Sequence, residues 1–263
     1  MIFQVERQNQ PTGYLAHFAV SDIDGQRFGH MASFSQTPVP AAAFPLDVNG
    51  WTLDHTDAAD TIDAAMSGYE LHLTLTDDKP PALHHGGYIT YDPAGGSYYY
   101  SRTRLSVNGA LNGEAVQGIA WMDHQWGNFV IGSVGGWDWY SLQLDDDTEL
   151  MLYVLRSPSG QISATYGSHV LADGRVEDLA AGSVTSVPTG QWTSPHTGAV
   201  YPSGWQLTLA DGSRVTLMPQ LQDQELYFPD SGAAVLPYWE GAVTVSGDHT
   251  GVGYVELTGY VSG

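Results

Sequence analysis

The sequence predicts an all-β protein, a sandwich or barrel of many short strands, and three observations carry that prediction. Apolar and polar residues alternate in short runs, turn-forming pairs separate those runs, and 31 glycines and 14 prolines punctuate a chain of 263 residues. The clearest strand is Tyr69–Thr76, where Tyr69, Leu71, Leu73 and Leu75 alternate with polar residues at the period of a half-buried strand. Asp24-Gly25, Asp173-Gly174 and Asp211-Gly212 each lie between two such runs and supply the left-handed backbone of a tight turn. Asp145–Thr148 divides Trp139–Leu144 from Glu149–Leu155, and Gly247–Gly251 divides Ala242–Ser246 from Val252–Thr258, giving two more hairpins. One stretch, Asp57–Ser67, with two Asp-Ala-Ala steps, reads as a short helix. A strand-like run at the start of the chain is expected to enter a sheet directly. Gly127, Gly132, Gly135 and Gly136 loosen the chain around 127–136, which predicts two domains, 1–130 and 131–263.

Charge restricts the partners. With 29 acidic and 8 basic residues the formal net charge is −21, and such a surface repels phosphate backbones and anionic lipid headgroups. Nucleic acid is therefore not an expected partner, and the absence of an 18-residue apolar run predicts no membrane-spanning segment. Charged residues make up only 14% against 42% hydrophobic, the balance of a chain that buries a core. The chain has no cysteine, which excludes disulfides, thiolate metal sites and cysteine nucleophiles. Lys79 is the only lysine. The ten histidines include no His-Glu-x-x-His spacing, and Gly-x-Ser-x-Gly and Gly-x-Gly-x-x-Gly are both missing. No metal and no cofactor are expected. The first residues do not have the pattern of a signal peptide, so the compartment stays open between cytoplasm and export through an upstream signal.

Two aromatic clusters are candidate sites. In Trp121-Met122-Asp123-His124-Gln125-Trp126, an extended backbone turns Trp121, Asp123 and Gln125 to one side and Met122, His124 and Trp126 to the other. An indole beside Asp123 would desolvate its carboxyl, raise its pKa and make it a general acid. The structural alternative is a core of Trp121 and Trp126 with Asp123 in a turn. In Trp137-Asp138-Trp139-Tyr140, Trp137 and Trp139 share a face, fit either to line an apolar cavity or to pack a sheet. A third run, Tyr98-Tyr99-Tyr100, sets Tyr99 against its two neighbours.

These stretches occur in an order that resembles a known family. Tyr98–Arg102, Gly118–Asn128 and Trp137–Leu144 are followed by Trp192–Pro195, Tyr201–Trp205, Tyr238–Gly241 and Gly253–Tyr260, with Tyr14–Asp22 ahead of them. The set resembles the lipocalin-like family of hydroxyneurosporene synthase (carotenoid 1,2-hydratase) and the AttH-type proteins, over almost the whole chain. That resemblance implies two consecutive lipocalin-like β domains. Family members commonly carry a Glu-Trp-Trp-Tyr strand upstream of the segment that begins here at residue 2, so the first domain is expected to lack upstream strands. The carotenoid hydratases tend to read Tyr-x-Asp where this chain has Trp121-Met122-Asp123, and the chain is more similar to the AttH-type branch.

The chemistry the resemblance implies is hydration of an isoprenoid double bond, or cyclisation of a polyene, without a cofactor. Asp123 would protonate the C=C bond, and Trp121, Trp126, Trp139 and Tyr99 would face the resulting cation. Trp137 and Tyr238 would complete the apolar wall. His124 is the nearest candidate to deprotonate water, although a regular strand points it away from Asp123 and a bulge would be needed to bring the two together. Two other classes stay open: a non-catalytic carrier of an apolar small molecule, and a carbohydrate-active protein using two carboxylates across a groove. For the latter, Glu240 and Glu256 are the motif-embedded glutamates, though a structural role against backbone amides or an arginine such as Arg102 is the favoured reading. Oligomeric state is not legible.

Overall fold

The computed structural model describes residues 1–5, 13–36, 45–91, 95–128, 135–229 and 236–261. Every element among them is a strand. β1 (Ile2–Val5), β2 (Gly13–Asp22) and β3 (Arg27–Ser35) form an antiparallel three-stranded sheet, so the chain does enter a sheet at its first residues. β4 (Leu46–Val48), β5 (Trp51–His55), β6 (Asp60–Met66), β7 (Tyr69–Asp77), β8 (Ala82–Thr90), β9 (Gly96–Leu111) and β10 (Glu114–Gly127) make a seven-stranded sheet. A ten-stranded sheet follows. It begins with β11 (Gly136–Leu144), β12 (Glu149–Arg156), β13 (Ile162–Val170), β14 (Val176–Asp178) and β15 (Thr185–Pro188). β16 (Gln191–Thr193) and β17 (Val200–Pro202) form a separate ribbon. β18 (Trp205–Thr208), β19 (Arg214–Pro219), β20 (Glu225–Leu226), β21 (Tyr238–Gly247) and β22 (Gly251–Leu257) complete the ten-stranded sheet.

Each predicted hairpin lies where the turn chemistry puts it: Asp24-Gly25 between β2 and β3, Asp173-Gly174 between β13 and β14, Asp211-Gly212 between β18 and β19, and Gly247–Gly251 between β21 and β22. The helix expected over Asp57–Ser67 is absent. Asp60–Met66 is β6, paired antiparallel to β7 with Ile62 opposite Leu73 and Ala64 opposite Leu71. Alanine's helix preference amounts to tenths of a kcal/mol per residue, and seven ladder positions with a buried face outweigh it. The expected division at residues 130 and 131, with Gly132, falls in 129–134, outside the described residues. Among the described residues no strand before Gly127 shares a ladder with one after Gly136.

The core sits in three places. The largest cluster fills the curled ten-stranded sheet, with Tyr140, Leu142, Leu144, Trp205, Leu217, Val243 and Leu257 almost fully buried. A second packs Tyr14, Ala16 and Phe18 of β2 on Val48 and Trp51. The third lies between the large sheets, where Ile89, Tyr91 and Tyr99 meet Met151 and Leu155, with Trp121, Trp137, Trp139 and Tyr153 against them. β11 and β12 therefore bury both faces, one into the curled sheet and one into this intersheet layer. That explains the nearly continuous apolar run Leu150–Leu155, which has no polar face to spare. Lys79 ties the sheets together: its ammonium, buried after β7, donates to Glu149 at the start of β12 at 2.9 Å and to the carbonyls of Asp147 and Leu171.

Candidate functional site

Strand periodicity assembles the site on the far face of β11, β22 and β21. Trp139 lies opposite Glu256, which lies opposite Glu240, and residues opposite one another in an antiparallel ladder project to the same side. Steps of two add Trp137, Tyr254 and Tyr238 to that face, and Tyr153 joins it as the partner of Trp139 on β12. β9 and β10 present Tyr99, Ser101, Trp121 and Asp123 to the same space. β2 supplies a third wall: the His17 ring stacks on Tyr238 with Nδ1 2.7 Å from its hydroxyl, and Ser21 donates to Gln224 at 2.7 Å.

Asp123 is held by three donors. Its Oδ1 accepts from the Tyr99 hydroxyl at 2.9 Å, from Trp121 Nε1 at 2.9 Å and from the Ser101 hydroxyl. Tyr99 is itself fixed by Trp139 Nε1 at 3.0 Å, and the Trp121 and Trp139 rings meet edge to face at 6.1 Å. Among the described residues Oδ2 accepts nothing. Asp123 keeps solvent-accessible surface while its carboxyl is crowded by the side chains around it. Desolvation raises its pKa, and the three donors oppose that rise without cancelling it.

Glu240 and Glu256 complete a group of three carboxyls. Desolvation is the largest cause of the raised pKa of each; for Glu256 the charge of Glu240 comes next, and its carboxyl is pushed up to about 8. The charge of Asp123 raises both further. Trp137 Nε1 donates to Glu256 at 3.0 Å, and Tyr238 is hydrogen-bonded to Glu240. No arginine, lysine or histidine among the described residues pairs with any of the three; the opposing charge on the two glutamates is that of the Met1 amine, which lowers both without cancelling the rise. The pairing with Arg102 expected for these glutamates does not occur, because its guanidinium is taken up by Asp60 and by Asp77 at 2.5 Å. Nor do they stand on opposite walls: they are directly opposed partners in the ladder between β21 and β22 and project to the same side of one sheet.

The site residues expected from the sequence thus divide. Asp123, Trp121, Tyr99, Trp137 and Trp139 come together, with Tyr238 behind Glu240. His124 and Trp126 do not join them. The irregularity of β10 falls between Ala120 and Met122, and from Met122 onward the ladder with β9 is regular, so His124 and Trp126 point to the opposite face. There His124 Nδ1 lies 3.1 Å from the Tyr100 hydroxyl, and Trp126 stacks on exposed Tyr98 at 5.4 Å. The void inside the ten-stranded sheet, lined by Tyr140, Leu142, Met151 and Leu207, holds no carboxylate or imidazole and is a packing defect rather than a reaction site. Among the described residues no three His, Asp or Glu are grouped to hold a metal ion, and no helix is long and apolar enough to cross a membrane.

Comparison with known proteins gives the following. The family model described as AttH-like matches residues 4–260. The crystal structure of an AttH from Nitrosomonas europaea is 30% identical, with a TM-score of 0.88 over 99% of this chain and 86% of that one. Kievitone hydratase from Nectria haematococca is 18% identical, with a TM-score of 0.76 over 95% of this chain and 81% of that one. No curated protein matches the chain. The fold is all-β and lipocalin-like, as these neighbours are.

Proposed function

The chain belongs to the AttH-like family, and from that premise we propose that it is a hydratase-type enzyme adding water across a C=C bond of an apolar, isoprenoid- or polyene-like substrate. One observation carries the reading: three carboxyls with raised pKa values, none ion-paired with an arginine, lysine or histidine among the described residues, act on one another beside Trp121, Trp137, Trp139 and Tyr99 in the layer between the large sheets. A carrier of apolar ligands has no use for buried acids, which cost stability unless they are paired. That a protein named a hydratase has this fold supports the reaction class by analogy of scaffold.

Each step has a residue. Asp123, protonated on Oδ2, transfers its proton to the less substituted alkene carbon, leaving a cation on the other. The indole and phenol faces around it stabilise that cation by ~1–2 kcal/mol each. A water beside Glu240 and Glu256 attacks the cation and loses a proton to whichever of the two is ionised. The C=C bond and one water become one C–H and one C–OH, with no change in electron count. The base role therefore moves from His124 to the glutamate pair.

The test is incubation with geraniol in oxygen-18 water. A labelled tertiary alcohol that Asp123→Asn reduces by about 100-fold or more is the expected result. Geraniol bound equally well by both proteins and recovered unchanged would instead make the protein a carrier.

A further inference from the structure

We propose that Glu240 is the general base of the glutamate pair, and that His17, acting through the Tyr238 hydroxyl, is the positioning residue that gives it that part. This rests on the reading of the site as a hydratase and says which glutamate takes the proton from water.

The two glutamates are directly opposed in one ladder, so the strands alone do not distinguish them. Their donors do. Glu256 accepts from Trp137 Nε1 at 3.0 Å, an indole N–H that has no lone pair through which another donor can polarise it. Glu240 accepts from the Tyr238 hydroxyl, which is acceptor as well as donor and lies 2.7 Å from His17 Nδ1. Hydrogen bonds in a chain polarise one another, and the last link of this one ends on a carboxylate, whose ionised form it favours. The Met1 amine lowers both glutamates, weighs more on Glu240 and works to the same end. Among the described residues, Glu256 and Tyr254 on β22 and Asp123 on β10 are the other titratable groups coupled to Glu240. The charge of Glu240 raises Glu256, as it must if Glu240 ionises first.

His17 sets the direction of the chain. Its ring is 6% exposed and sits among Phe3, Phe228 and Tyr238, and its Nε2 meets no hydrogen-bond partner among the described residues. Burial, with the charges of the Met1 amine and His30, brings its pKa down to about 4, so the ring is neutral and carries one proton. A buried N–H without an acceptor is rarer than an acceptor without a donor, which puts that proton on Nδ1 and a lone pair on Nε2. Nδ1–H then donates to the Tyr238 oxygen, and the phenol proton is left for Glu240. For packing alone, a phenylalanine would fill this aromatic surround without burying an unpaired nitrogen. In the reaction, the water oxygen forms the C–O bond, one water O–H bond breaks, and its proton goes to Glu240 while Glu256 keeps its own. Glu240 and Asp123 both retain solvent-accessible surface, through which one loses and the other regains a proton between turnovers.

The test is carbon-13 NMR of the full chain labelled at the glutamate carboxyls, with Glu240→Gln and Glu256→Gln assigning the two resonances, beside an assay of geraniol hydration. At neutral pH, Glu240 is expected as the carboxylate and Glu256 as the acid. Tyr238→Phe should raise the Glu240 midpoint by about one pH unit. His17→Leu should raise it by roughly 0.3 unit, and His17→Gln, which keeps an N–H donor, by less. Hydration should suffer more in Glu240→Gln than in Glu256→Gln. A Glu240 midpoint unmoved in Tyr238→Phe, or Glu256 found as the carboxylate, overturns the proposal while geraniol is still hydrated. Tyr238→Phe removes a single oxygen and keeps the measurement open should His17→Leu fail to fold. Geraniol left unhydrated by wild type overturns the reaction itself, and the base role with it, whatever the resonances show.

Discussion

Glu240 and Glu256 stand directly opposite one another in the ladder between β21 and β22, two carboxyls side by side that burial desolvates. Like charges at such positions repel, so one of the pair keeps its proton at neutral pH. Glu256, at about 8, is that one.

Glu256 should make stability fall as pH rises. The folded protein keeps on it a proton that the unfolded chain releases near 4.5, so between about 4.5 and about 8 its contribution declines with each step upward. Raised values at Glu240 and Asp123 act in the same direction, whereas His17 and His84, which burial holds at about 4, act in the opposite one up to about 6.5. Thermal melts between about pH 6.5 and 8 should therefore show a decline in wild type and a shallower one in Glu256→Gln. Above that window the variant should be the more stable by on the order of 2 kcal/mol. Equal slopes in the two proteins would mean that Glu256 does not titrate there.

Trp121→Phe keeps an apolar wall but removes the Nε1–H donor to Asp123 Oδ1. That donor favours the ionised form, so its loss should raise the Asp123 pKa further, by about one pH unit. An infrared titration of the carboxylate band, with Asp123→Asn as the reference, measures it. An unchanged midpoint would deny the indole any part in tuning the acid.

His124→Ala and Trp126→Ala should leave geraniol hydration within about twofold and cost roughly 1 kcal/mol or less of stability, because both side chains lie on the outer face of β10. Asp123→Asn, one residue away from His124, should be nearly inactive. A His124→Ala loss as large as that of Asp123→Asn would return the base role to His124.

Lys79→Met should be costly. It strips a buried cation from Glu149, which keeps Arg104 at 2.6 Å and Thr103 at 3.1 Å, and it abandons two backbone carbonyls. Breaking one partner of such a pair costs about 3 kcal/mol, and adding Glu149→Gln should recover part of it. Chemical denaturation of the single and double variants reads both numbers.

Much of this architecture is local. The period of two turned Trp121 and Asp123 inward and His124 and Trp126 outward, paired Trp137 with Trp139, and hid Tyr99 between exposed Tyr98 and half-buried Tyr100. Turn residues fixed the hairpins. The same turn between β21 and β22 already implied that Glu240 and Glu256 would meet. What hid their importance was the lack of any sequence sign that a hollow, rather than an arginine, lay in front of them.

The sequence by itself determined which residues form strands and which side of a strand each one takes, because both follow from backbone geometry and neighbours a few residues away. It could not settle Asp60–Met66, whose alanines favour a helix until β5 and β7 close around them. Nor could it bring the charge of Asp123 to bear on Glu256, or join Ser101 through His84 to Ser168, since both depend on how sheets far apart in the chain pack. Desolvation, which gives these carboxyls their raised pKa values, belongs to the closed space between the sheets and not to any segment that lines it.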